Sequence, residues 1–341
     1  MTLGAAARHR ADWFRPLRSP TRTAVGPTGS YARRMTPGRR PNGRLPIAMV
    51  GLGDIARKAY LPVLGERSDV ELHLCTRDTK TLAGVADAYR VEHRHQNLDD
   101  LIGADIAAAF VHVATSAHAE VVARLLHAGV HVYVDKPLAN NLGDCVKLVE
   151  LAKTKQRSLM VGFNRRYAPA YCDAAALIPQ LVFLQKNRVS LPDSPRRVVF
   201  DDFIHVVDTL RFLAPHAELA DVRAQTSNGQ LESVVVVLAG AEVTAIGSMN
   251  RIGGHTQEIL EVQAPGVRRV VHDIAMIDDY RDDRHAVVRR GDWTPVHQQR
   301  GFDAICQRFI DAVASGEALD ADDALRTHDL CERIVAVAER T

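Results

Sequence analysis

A lysine, two aspartates and a histidine are the side chains of this sequence best suited to moving a proton or steadying a charge. The stretch VHVYVDKPLANN, residues 130–141, opens as an alternating run of valines with a tyrosine, which favours a buried strand. Pro137 cannot donate to a sheet ladder, so the strand must stop beside it. Lys136 is thereby held at a strand's carboxyl end, the edge of an open α/β sheet at which ligands bind. In FDDFIHVVDTLRFL, residues 200–213, a helix turning about 100° per residue puts Asp201, His205 and Asp208 on one narrow face and Phe203, Val206, Val207 and Leu210 on the other. A carboxylate four residues before a histidine can orient the imidazole and raise its basicity, as a general base requires. A polar helix face that only meets water has the same spacing, and periodicity does not choose between them. A metal reading of His205, Asp208 and His118 has little behind it. The chain has 15 histidines but no H-E-x-x-H motif and no cysteine cluster, so no metal is expected.

The second candidate chemistry is dinucleotide binding. VGLGDIA sets Gly51, Gly53 and Ala56 in a G-x-G-x-x-A spacing between a strand-like and a helix-like run. The first glycine allows the tight turn, the second lets a pyrophosphate approach the backbone, and the small third residue packs helix on strand, while the helix N-terminus offers free N–H groups. At the end of the next strand, where an NAD-binding chain usually has an acid, the sequence reads Cys75-Thr76-Arg77-Asp78. A hydroxyl followed by a guanidinium can hold the 2′-phosphate of NADP. Equally, Arg77 can be a solvated loop residue and Asp78 a helix cap.

These groups need elements to position them. From Pro46 short apolar runs alternate with helical stretches: PIAMV, DIARKAYLPVL, VELHLC, KTLAGVADAYR, IAAAFVHVA, HAEVVARLLHAG, HVYVD, LGDCVKLVELAKT and SLMVGF. Continuous apolar strands joined by crossover helices predict a doubly wound parallel sheet over residues 46–163. Beyond Phe163 the texture changes. A strand-like QLVFLQKNRVS, the His205 helix, a hairpin turning at Ala239-Gly240, another at Pro265-Gly266 and two closing helices predict an α+β domain with a largely antiparallel sheet over 164–341.

Composition narrows the function classes. The 341 residues are 25% charged and 46% hydrophobic, and no apolar run is long enough to span a bilayer. Cys75, Cys145, Cys172, Cys306 and Cys331 are scattered without C-x-x-C pairing, which argues against a zinc site or disulfide framework and fits a reducing cytoplasm. Residues 1–45 hold ten arginines against Asp12, a charge of +9, which leaves −7 for the rest of a chain whose total is +2. This arginine-, proline- and glycine-rich opening lacks an apolar period and is expected to be disordered. Neither nucleic acid nor membrane is expected as a partner.

Taken in order, VGLGDIA, TSAH (115–118), VDKPLA (134–139), GFNRRYAP (162–169) and DDFIHVVD (201–208) resemble the Gfo/Idh/MocA family of oxidoreductases, and most of all its virulence factor MviM-like branch. The resemblance covers 46–341. It implies a Rossmann domain, bound NADP or NAD with NADP slightly favoured, and hydride transfer between nicotinamide and a secondary alcohol or ketone of a small sugar- or polyol-like substrate. Lys136, Asp201 and His205 correspond to the catalytic residues, with His205 as acid/base, Asp201 orienting it and Lys136 polarising the oxygen. Gly51, Gly53, Asp54, Ile55, Ala56, Thr76, Arg77, Thr115, His118, Asp135 and Lys136 fall at cofactor positions. Asn164, Arg165, Arg166 and Asp208 fall at substrate positions. Phe203 stands where much of the family has glycine, and its ring is expected to narrow the substrate pocket. The family's second sheet commonly joins subunits, so a homo-oligomer is expected. A non-catalytic cofactor or sugar sensor is the alternative on the same fold.

Overall fold

The computed structural model describes residues 43–341, so the expectation for the arginine-rich opening lies, save for its last three residues, outside the described residues. The first six strands are β1 (Leu45–Val50), β2 (Val70–Cys75), β3 (His93–His95), β4 (Ala108–Val111), β5 (His131–Val134) and β6 (Leu159–Val161). They form one parallel sheet in the order β3-β2-β1-β4-β5-β6. β1, β4 and β5 are buried at every residue, as strands covered on both faces must be. The chain reverses its winding between β1 and β4, the point beyond the carboxyl ends of the strands at which open α/β sheets bind ligands. Gly51, His112 and Asp135, the residues that follow β1, β4 and β5, gather at that end.

The second sheet has eight strands in the order β14-β13-β12-β11-β7-β10-β9-β8. They are β7 (Leu181–Asn187), β8 (Glu218–Ser227), β9 (Gln230–Ala239), β10 (Thr244–Asn250), β11 (Gln257–Ala264), β12 (Val267–His272), β13 (Met276–Arg281) and β14 (Arg284–Arg289). Every pairing is antiparallel except β7 with β10. The β11–β12 hairpin turns at Pro265-Gly266 as expected, with φ +72° at the glycine. The β9–β10 hairpin closes through residues 240–243 instead of a two-residue turn, because Ala239 pairs directly with Thr244.

The His205 helix starts at Pro195–Val198, passes through a π-helical turn at Val199–Phe203 and continues as Ile204–Leu213. It lies flat on the sheet. A Cβ on Gly247 of β10 would come within 2.5 Å of Val206 Cγ1 and 2.8 Å of Leu210 Cδ1, so the approach depends on glycine there. Of the two closing helices, Asp322–Ala338 packs against the helix Leu142–Lys155, against Ile204–Leu213 and against β8. The other, Phe302–Ser315, expected with the second domain, returns to the first. Its Phe302, Ile305, Cys306, Phe309 and Ile310 are buried with Tyr60, Phe110 and Tyr133, with ring centroids 5.1 Å apart for Tyr60–Phe302 and 5.2 Å for Phe110–Phe309.

Candidate active site

Lys136 follows β5 on a turn fastened from several sides. Asp135 N–H donates to Val111 O (3.0 Å), and the Asp135 carboxylate accepts from the Lys136 N–H (3.0 Å). Leu138 N–H donates to Nε2 of His328 (2.9 Å), whose Nδ1–H donates to Ala324 O (2.7 Å), a tautomer assigned from these two partners. Burial pushes the His328 imidazole down to about 4, so it stays neutral and keeps the lone pair that Leu138 needs. His118 is buried too, its Nδ1 2.7 Å from Pro137 O and its Nε2 3.1 Å from Val113 O. It ties two loops together through both ring nitrogens.

From this turn the Lys136 ammonium reaches across to the His205 helix and donates to the backbone oxygen of Asp201, one turn before His205. The imidazole of His205 is half-buried, and its pKa is held well below the usual value, first by burial and then by the positive charges of Arg165, Lys186, Lys136 and Arg188. It is a neutral imidazole at physiological pH. Asp201 does not orient it. Its carboxylate lies 3.6 Å from Arg197 Nε, and no hydrogen bond joins it to His205 among the described residues. The physical reason is the π turn, which holds more residues per turn than the α-helix and breaks the phase computed at α spacing. Phe203 is fully buried in the core, so its ring does not narrow a pocket.

The acid beneath the site is Asp202, which the sequence reading passed over. It accepts from Lys186 (2.6 Å), from Arg251 (2.7 Å) and, through both oxygens, from Arg188 (2.8 and 2.9 Å). Although burial opposes ionisation, these cations hold its carboxyl well below the usual range. Lys186 points inward from β7 directly across from Glu258 of β11, and burial, followed by the charge of Arg165, pulls its pKa down to about 7. Both residues were visible in principle. Val182, Leu184 and Lys186 share one buried register of β7, as Glu258, Leu260 and Val262 do of β11, and a charge in such a register is unusual.

The expected substrate residues divide. Arg165 sits near His205 and makes a two-pronged pair with Glu258 (2.7 and 2.6 Å), which also accepts from Tyr171 (2.8 Å). Arg166 and Asp208 are engaged with each other (2.8 and 2.6 Å), with Thr327 donating to Asp208 and Asp323 accepting from Arg166. Asp208 is 1% exposed, so this part of the polar helix face meets an ion-pair network and not water. Asn164 donates to Arg300 O (2.8 Å) and fixes a turn.

The glycine turn fits a dinucleotide. Gly51 has φ +90°, and a Cβ there would come within 2.7 Å of the His112–Val113 backbone, so only glycine fits. A Cβ on Gly53 would meet nothing within 4 Å, which leaves open space beside the helix start for a phosphate. Ala56 is fully buried, while Asp54 and Ile55 face outward, Asp54 pairing with Lys58 (2.9 Å). His112, 6% exposed, has both ring nitrogens buried without a hydrogen-bond partner beside this turn, an orphan that a bound ligand would relieve. Thr115 begins the helix Thr115–His127 at the same end of the sheet. Thr76 follows β2, its N–H bonded to His95 O (3.1 Å), and Arg77 is exposed with no side-chain partner among the described residues. Asp78 caps the next helix by accepting from Thr81 N–H (2.7 Å).

Comparison with known proteins agrees with this architecture. The profile of the GFO_IDH_MocA family, described as "Oxidoreductase family, NAD-binding Rossmann fold", matches residues 45–163. YceM of Salmonella typhimurium is 34% identical over 281 residues, covering 79% of this chain and 89% of YceM. The crystal structure of a Gfo/Idh/MocA family oxidoreductase from Vibrio cholerae superposes with TM-score 0.82 at 35% identity, covering 87% of this chain and 98% of that one. The dehydrogenase MviM from Clostridium difficile does so with TM-score 0.81 at 28% identity, covering 86% and 99%. A Rossmann sheet with a glycine cradle, joined by a lysine to a second, largely antiparallel domain that is shared over its length with these relatives, makes this chain a member of the Gfo/Idh/MocA oxidoreductase family.

Proposed function

We propose that the protein interconverts a secondary alcohol and a ketone on a small polyhydroxylated molecule, with Lys136 and His205 acting on one substrate oxygen. The observation that carries this reading is the bond from Lys136 to the Asp201 backbone, which draws the Rossmann strand end and the second domain's histidine to one place. Bound nicotinamide dinucleotide supplies the hydride acceptor or donor. In the oxidation direction the substrate hydroxyl gives its proton to His205, which is neutral and has a lone pair to receive it. The Lys136 ammonium stabilises the negative charge growing on the same oxygen. In the reduction direction His205 returns the proton to the carbonyl oxygen. The network of Asp202 with Lys186, Arg188 and Arg251 holds the helix in place.

Thr76 and the unpartnered Arg77 favour NADP over NAD by the 2′-phosphate. The free state of all five cysteines fits a reducing cytoplasm, and among the described residues no helix is long and apolar enough to cross a membrane. Phe183, Ile246 and Ile259 line one cavity on the second sheet, and Phe183 and Val235 stay exposed, a surface suited to a second copy of the chain. The test is a native mass spectrum of the protein as purified, followed by a sugar and polyol panel read by nicotinamide absorbance. A retained dinucleotide with turnover of at least one polyol is expected. Retained dinucleotide with no turnover across the panel would favour a sensor.

A further inference from the structure

The charges around His205 do not balance. Lys136, Arg165, Arg188 and Arg251 converge on the site together with Lys186, whose charge burial weakens, and the carboxylates among them are Asp202 and Glu258. Asp201 and Asp193 pair with Arg197 at the outer side, at 3.6 and 3.2 Å. Asp135, behind Lys136, is disposed toward its neutral form by burial, against the opposing pull of the Lys136 charge. Lys186, Arg251 and Arg165 are 3%, 5% and 6% exposed, so solvent does little to offset the excess. Nη1 of Arg165 and Nη1 of Arg188 have no hydrogen-bond partner among the described residues. Arg165, Arg188 and Lys136 all lie close enough for their charges to act on the half-buried imidazole.

We propose that the substrate carries an anionic group, a carboxylate or a phosphate, received by Arg165, Arg188 and Lys186 beside the hydroxyl that faces His205. This rests on the oxidoreductase reading of the same site. A neutral polyol leaves the excess of positive charge around His205 uncompensated, and the imidazole stays a weak base. An anion among them offsets their field and restores its basicity, so the substrate's own charge tunes the proton acceptor.

Calorimetry on cofactor-saturated protein tests this with three six-carbon probes: D-gluconate, D-sorbitol 6-phosphate and uncharged D-sorbitol. One of the two anions should bind at least tenfold more tightly than sorbitol, and the better one identifies the group. The preference should shrink as salt is raised and disappear in Arg188→Gln, while cofactor affinity persists. Should that variant fail to fold, the His205 ring signal of the wild-type protein, followed by NMR against pH, gives an independent readout. Its titration should move upward when the preferred anion binds. Sorbitol bound as tightly as both anions, no binding of either anion at millimolar concentration, or an unmoved His205 titration would each overturn the proposal. Binding is read without turnover, so an anion preference with no reduction of nicotinamide counts against the hydride-transfer reading alone.

Discussion

Burial first, and then the nearby basic side chains, hold His205 neutral, and the Lys136 side chain reaches the same helix one turn earlier; the proposed reaction uses the pair as a base and a cation drawn from two domains. At the sheet's opposite flank, Arg77 stands exposed without a partner after β2. Arg77→Ala should weaken NADP binding by at least tenfold more than NAD binding, measured by fluorescence titration of the reduced forms; equal losses would show that the 2′-phosphate is read elsewhere. Lys136, His205 and the glycines were legible because strand ends, helix period and turn spacing are local signals. Lys186 and Glu258 left a local trace as charges in apolar registers, but their role and that of Asp202 come from long-range pairing: β7 meets β11 some seventy residues later in sequence, and only that register sets Lys186 against Glu258. His328 was hidden for the same reason, holding the turn at Leu138 from 190 residues away.

The helix that carries His205 is set by two features of different visibility. Its amphipathic period was readable, and Val206, Val207 and Leu210 do face the sheet core. The π turn at Val199–Phe203, which contains Asp202, was not readable, because an extra residue in one turn leaves no mark on the hydrophobic pattern. Gly247 sets the depth of the helix on the sheet. Gly247→Ala places a methyl against Val206 and Leu210 and should cost about 1–3 kcal/mol of stability, read as a lowered melting temperature, with turnover reduced and dinucleotide affinity retained because the glycine turn is untouched. An unchanged melting temperature would mean that the helix shifts freely. The helix Phe302–Ser315 was recognisable as a helix but not by its destination. Amphipathic periodicity identifies a buried face without naming which core receives it.

Over the whole molecule, several buried histidines make stability depend on pH. Burial lowers His73, His131 and His328 to about 4 and His112 to about 3, whereas the unfolded chain titrates near 6.5. The unfolded state therefore binds protons that the native state refuses. This contribution is complete above about pH 6.5 and is lost as pH falls toward 4, at roughly 1.4 kcal/mol per pH unit for each histidine fully engaged. Glu258 and Asp323, held to about 2 in the folded protein against burial by their arginine partners, add a second loss below about 4.5. The melting temperature should drop steeply between pH 6.5 and 4.5, and a flat profile there would contradict these environments. The partly apolar outer face of the eight-stranded sheet predicts a dimeric mass in light scattering at micromolar concentration, and a monomer would remove that reading. The central claim is that Lys136 and His205 serve one oxygen, and a double-mutant cycle in turnover tests it most directly. With any substrate that reduces the bound nicotinamide, Lys136→Ala and His205→Ala should each lower kcat by about 10² or more with dinucleotide binding intact, and the double variant should lose far less than the product of the two. Near-normal kcat in His205→Ala, or losses that simply multiply, would contradict the account.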